Sequence, residues 1–200
     1  MYRKRNREMD ILALYLSGYN KQFYLREISK LTKIPLKTTQ TLIAHLEKDR
    51  ILKSRVSGKN KYFRLNIDNL QTKFYLLQSE LHRTAVFIEK YPLFKIFIKE
   101  IKANAPIIVF GSFAEFKADK DSDLDLLIVS KEKVNLPFHL LAYKTHEIYL
   151  DENSFVKSLE KNETLIREIE ENHTVLNNHS FYVNSMWHYY GSKQSAEMVF

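Results

Sequence analysis

GSFAEFKADKDSDLDLLIVS, residues 111–130, places Asp121, Asp123 and Asp125 within five residues, at the mouth of the apolar run Leu126–Val129. Side chains alternate along an extended chain, so Asp123 and Asp125 fall on one face of a predicted strand and Leu124 and Leu126 on the other. Two carboxylates held side by side repel each other. A divalent cation makes the arrangement favourable, and hard oxygen ligands suit magnesium. Just upstream, Ala105-Pro106 opens a predicted strand, IIVFG, that runs into Gly111-Ser112, and a short helical turn is predicted at Ala114–Phe116. A glycine there lets a phosphate approach the backbone, while Ser112 and neighbouring amides can bind its oxygens. The spacing is not that of the common phosphate loop, because GxxxxGK[ST] occurs nowhere in the chain.

Composition bounds the rest. Two hundred residues, 44% of them apolar and 13% aromatic, allow one large folded domain or two small ones. No apolar run approaches the roughly 18 residues of a membrane span, and the opening MYRKRNREMD lacks the apolar core of a signal peptide. A cytoplasmic location is therefore expected. The absence of cysteine excludes disulfides, thiolate metal sites and cysteine nucleophiles. The seven histidines show no HxxxH or HxH spacing, which argues against zinc.

Charge is unevenly spread. Residues 1–65 carry 16 Lys and Arg against 5 Asp and Glu, whereas residues 66–200 carry 15 against 19. A basic segment suits a polyanion and an acidic one does not. Within the basic segment, a short helix is predicted at Met9–Leu16, and Leu25, Ile28 and Leu31 mark a second. After Ile34-Pro35, LKTTQTLIAHLEKDR gives a third helix with Thr39, Leu42, Ile43 and Leu46 inward. ILKSRV and KYFRL follow as a hairpin closed by SGKN. This order, together with the stretch LREISKLTKIPLKTTQTLIAHLEKDRILKSRVSGKNKYFRLN, resembles the winged helix-turn-helix family over residues 8–66. Arg50 stands where many members have glycine, so either a strained left-handed residue or a differently built turn is expected there.

The winged-helix resemblance implies double-stranded DNA as partner. Lys37, Thr38, Gln40, Thr41 and His45 would face the major groove from the third helix, and Arg55, Lys59 and Lys61 on the wing would follow the backbone. Affinity should fall steeply with salt as counterions are released. The same fold used only for protein contact is the alternative.

Residues 67–91 form a predicted helical linker. Leu70, Phe74, Leu77, Leu81, Thr84 and Ile88 repeat at spacings of 4 and 3, as in the seam of a homodimer or in a helix packed on its own domain. Tyr91-Pro92 ends it, and a helix is expected at Phe94–Lys102. Beyond the acidic stretch, THEIYL reads as a strand, residues 153–161 and 163–171 as helices, and TVLNNH as a short edge strand. SFYVNSMWHYY reads as an aromatic helix and residues 191–200 as a frayed tail.

The pattern GS, ten residues, then D-x-D at Asp123 and Asp125 resembles the polymerase β type nucleotidyltransferase superfamily, particularly its minimal members, over residues 92–190. The whole chain resembles small nucleotidyltransferases fused to an N-terminal winged helix. The expected fold is therefore α/β (α+β): winged helix at 1–66, linker at 67–91, a mixed sheet with flanking helices at 92–190, and a tail at 191–200.

The resemblance implies transfer of a nucleoside monophosphate from a nucleoside triphosphate to an acceptor hydroxyl on a protein or RNA. Related antitoxin-like members modify a partner toxin. It assigns Asp123 and Asp125 to two Mg2+ ions and Gly111, Ser112 and Ser122 to the nucleotide. A third carboxylate on a neighbouring strand completes such sites, and Glu147 is its candidate here as catalytic group and metal ligand. Two features depart from the family: Glu115-Phe116 stands where a small residue and a basic one are usual, and the third acid is a glutamate. They leave open a regulator that only senses nucleotide.

Overall fold

Helix, strand and turn follow one another at short range in the basic part of the chain. The computed structural model describes residues 6–197. Helix α1 (Arg7–Leu12) is capped by Asn6, which accepts from the Met9 N–H at 3.4 Å, and continues as a 3-10 turn at Ala13–Tyr15. Strand β1 (Gln22–Tyr24) leads directly into α2 (Leu25–Thr32), whose Glu27 accepts from the Tyr24 N–H. Lys33, at φ +57°, ends α2, and Pro35 fixes the entry of α3 (Leu36–Lys48). Strands β2 (Leu52–Ser57) and β3 (Asn60–Leu65) form a hairpin about Gly58-Lys59, with Gly58 at φ +60°.

The three strands form an antiparallel sheet in the order β1-β3-β2. Strand β1 was not expected from the sequence: with three residues it shows no alternation to read, and it exists because Phe23 registers opposite Phe63. The inward set of α2 also differs from expectation. Ile28 and Thr32 are buried, whereas Leu31 is exposed. Arg50 does adopt the left-handed conformation, at φ +56°, with the Ile51 N–H donating to the Leu46 carbonyl at 2.8 Å. Its carbonyl accepts from the side-chain amides of Asn66 and Asn69 at 2.9 and 3.0 Å, which helps to hold a conformation that favours glycine.

Helix α4 (Leu70–Lys90) follows, then α5 (Leu93–Glu100). The chain forms two compact units, one of residues up to Ser79 with those from Met186 onward, the other Glu80–Ser185. In the second unit, β4 (Ile107–Phe110) runs into α6 (Gly111–Ala114), and β5 (Leu124–Val129) and β6 (Thr145–Leu150) follow. Helices α7 (Glu152–Glu160) and α8 (Thr164–Glu171) precede β7 (Thr174–Asn177) and α9 (His179–Glu197). The sheet order is β6-β5-β4-β7, with β5 and β6 parallel and the other pairs antiparallel. Mixed pairing with helices between strands makes this an α+β unit.

Both faces of β5 are covered. Leu124, Leu126 and Ile128 join an aromatic core of Phe87, Phe94, Phe97 and Phe113, while Leu127 on the other face is also fully buried. That is why Leu126–Val129 is continuously apolar rather than alternating. Two sequence expectations need correction. The short helix begins at Gly111 itself, not at Ala114. Residues 191–197 of the expected tail continue α9 through Glu197, beyond the aromatic run that ends at Tyr190, and residues 198–200 lie outside the described residues.

A buried polar group completes the second unit. The fully buried Glu80 carboxylate lies 2.9 Å from Nε2 of His173, whose Nδ1 lies 2.9 Å from the Ile169 carbonyl. Arg83 donates to the His173 and Ala114 carbonyls, and burial lowers its pKa. Among the described residues, no helix is long and apolar enough to cross a membrane.

Candidate functional site

The site is set by how β4 and β5 meet. In their antiparallel register Phe110 lies opposite Asp125, so Gly111 follows directly beside that carboxylate. Gly111 has φ +65°, and a Cβ at this position would stand 2.7 Å from Oδ2 of Asp125. Only glycine leaves room for both the turn and the acid. Ser112 follows in α6, and its carbonyl anchors the returning loop by accepting from the Lys117 and Ala118 N–H groups at 2.9 and 3.1 Å.

Asp123 immediately precedes β5 and Asp125 is its second residue, with fully buried Leu124 between them. Burial of Leu124 fixes the flanking pair outward on one face. Two side chains at the start of β6 face the acid pair, Lys144 just before the strand and His146 within it. Lys144 Nζ lies 3.3 Å from Asp123 Oδ2, and His146 Nδ1 lies 3.3 Å from Asp125 Oδ1. Lys144, His146 and Asp123 are well exposed, so each contact contributes less than about 1 kcal/mol and a competing ligand can displace it.

Glu147 is not brought to this pair. In the parallel register it lies beside Leu126 and thus on the opposite face, while His146 lies beside Asp125. Its carboxylate accepts from the Tyr149 hydroxyl at 2.9 Å, and burial, then this hydrogen bond, raises the Tyr149 pKa. Alternation within THEIYL was legible, but register was not: a shift of one residue exchanges the two faces. The side chain that occupies the expected place of a third acid is therefore His146. Ser122 is also committed elsewhere, since its hydroxyl donates to Asp119 Oδ1 and accepts from the Asp119 N–H in the turn before β5.

Residues 93–181 match the family model described as nucleotidyltransferase domain.

The matched nucleotidyltransferase segment contains β4, α6, β5 and β6, and so every residue of the site just described. At a general level it points to transfer of a nucleoside monophosphate. Neither the curated proteins nor the solved structures compared with the chain gave a match. Nucleotidyltransferases commonly use a nucleoside triphosphate and a divalent metal, and the donor set fits in one way only. Among the described residues, no group of three or more His, Cys, Asp or Glu is placed to hold a metal by itself. Two carboxylates on one face do fit magnesium that arrives with its phosphates, because this ion is commonly held by one or two carboxylates plus phosphate oxygens.

In the first unit, Lys37, Gln40, Thr41 and His45 are exposed on α3 and Thr38 is half-buried. Thr41 donates to the Lys37 carbonyl at 3.2 Å, and His45 Nδ1 lies 4.0 Å from Glu8. A groove of about 820 Å3 brings Gln40 together with Lys59 and Lys61 of the hairpin. Lys61 is paired with Glu47 at 2.9 Å. The groove also contains Arg26 of α2, which the apolar spacing of that helix does not single out. Arg55 is not part of it. It registers with Tyr62, one residue from the Val56–Lys61 pair, and so projects from the other face of the sheet.

Proposed function

We propose that the chain transfers a nucleoside monophosphate from a nucleoside triphosphate to a hydroxyl on a protein or RNA acceptor, and that its first unit is a winged helix-turn-helix that binds double-stranded DNA. The observation that carries the first part is the approach of Asp125 to Gly111, which joins the acid pair to the Gly111-Ser112 turn. Asp123 and Asp125 would hold Mg2+ brought with the triphosphate, and the metal would supply charge neutralisation at the reacting phosphate. Gly111 lets the turn and the Asp125 carboxylate stand together, and the Ser112 hydroxyl that follows can donate to phosphate oxygens. Displacement of Lys144 and His146 from the acids frees an ammonium and an imidazole next to the phosphates. The DNA reading is supported by the excess of basic residues before residue 66 and by the groove that gathers Arg26, Gln40, Lys59 and Lys61.

A second reading is favoured by His146. With an imidazole where a third carboxylate is expected, the site would bind nucleotide without transfer, and the protein would be a nucleotide-sensing regulator of transcription. Incubation of the full chain with α-labelled nucleoside triphosphates, Mg2+ and cell extract separates the two. Label on an acceptor supports transfer, saturable nucleotide binding with no labelled acceptor supports sensing, and no binding refutes both.

A further inference from the structure

The outer face of the three-stranded sheet has a charge distribution that DNA contact along α3 does not use. Register places Gln22, Lys53 and Arg64 in one row across the strands, with Arg55 and Tyr62 in the next row on the same face. Lys53 is neutralised by Asp68 at 2.9 Å. Among the described residues, neither Arg55 nor Arg64 pairs with a carboxylate. Same-face cross-strand diagonals are about 7–8 Å apart, close enough for two guanidinium groups to repel.

These two arginines line a cavity of about 240 Å3 together with Lys193, Asn20, Gln22 and Tyr190, and no carboxylate lines it. The Lys193 ammonium donates to the Tyr189 hydroxyl and lies 4.3 Å from the centre of that ring, which orients it. Leu65 and the ring of Tyr19 supply an apolar floor, with Tyr19 stacked on Tyr190 at 5.4 Å. The cavity thus offers two planar forks, a third cation and two side-chain amides to one small guest. Arginine forks match phosphate oxygens in pairs. A cavity of this size, walled by the sheet and α9, admits a short phosphate chain but not a duplex.

We propose that this cavity is a binding site for a small free polyphosphate anion, held through a pyrophosphate unit by Arg55, Arg64 and Lys193. The site is separate from Asp123 and Asp125 and needs no metal. Calorimetric titration of the full chain with inorganic pyrophosphate, in chelator so that metal-dependent binding is silent, tests it. One saturable site per chain is expected. Arg64→Gln should weaken it by about tenfold or more, as loss of a bidentate charged contact does. Arg55→Gln serves as an independent second variant should Arg64→Gln fail to fold, and Asp125→Asn should leave the affinity unchanged. Absence of saturable binding, equal competition by chloride at matched ionic strength, or loss of binding in Asp125→Asn would each overturn the proposal. So would persistence of binding in both arginine variants, or an effect of those variants on duplex DNA affinity alone.

Discussion

The two units place their charged residues on different foundations. Asp123 and Asp125 flank a residue with no solvent exposure, and Asp125 abuts a glycine whose Cβ would meet its carboxylate, so their position is set by what is packed around them. Lys37, Gln40, Lys59 and Arg26 lie on exposed helix faces and a two-residue turn. The first arrangement is a fixed constellation in which small displacements matter. The second is a distributed field in which each cation adds an increment.

The largest effect expected from this contrast is at the acid pair. Asp123→Asn or Asp125→Asn should reduce acceptor labelling by about a hundredfold or more, since each removes a carboxylate proposed to hold the Mg2+ that arrives with the triphosphate. Glu147→Gln, on the opposite face, should remain within about threefold of the parent. A Glu147→Gln loss as severe as that of the aspartates would break the register argument. Next is the buried support of the same unit. His173→Leu leaves the Glu80 carboxylate buried without its partner and should cost about 3 kcal/mol or more in urea unfolding. A cost below about 1 kcal/mol would show that the pair is not the anchor its burial implies.

Gly111→Ala sharpens the comparison because it changes space and not charge. The added Cβ meets Asp125 Oδ2, and the positive φ is strained for alanine, so a loss of about 1–2 kcal/mol in stability is expected. A fall in labelling should accompany it. In the first unit, Lys59→Ala and Arg26→Ala should each weaken duplex binding a few-fold. Each should also reduce the slope of log affinity against log salt by about 1, and the double variant should be additive. Strong non-additivity would mean that the groove is a constellation after all. Smallest is Arg50→Gly, expected to stabilise by about 0.5–1 kcal/mol by relieving φ +56° in thermal unfolding.

Local pattern made much of this legible in the sequence. The hairpin about Gly58-Lys59 and the outward face of α3 both depend on residues within one or two turns of one another, whereas the choice of a left-handed Arg50 over a differently built turn involves Asn66 and Asn69. The adjacency of Gly111, Asp123 and Asp125 could also be anticipated, since one strand-turn-strand segment contains them. Strand β1 could not, because it is settled by pairing with β3, some forty residues away.

What the chain determined alone was therefore chemistry at short range: which residues alternate, which must turn, and where like charges crowd. Tertiary structure decided register and faces. Register between β5 and β6 placed His146 rather than Glu147 beside Asp125, and register within the first sheet separated Arg55 from Lys61. Alternation has a period of two, so a one-residue shift between strands leaves each strand's own pattern intact while exchanging its neighbours across the sheet. Only packing against the buried Leu124, Leu126 and Ile128 removes that ambiguity.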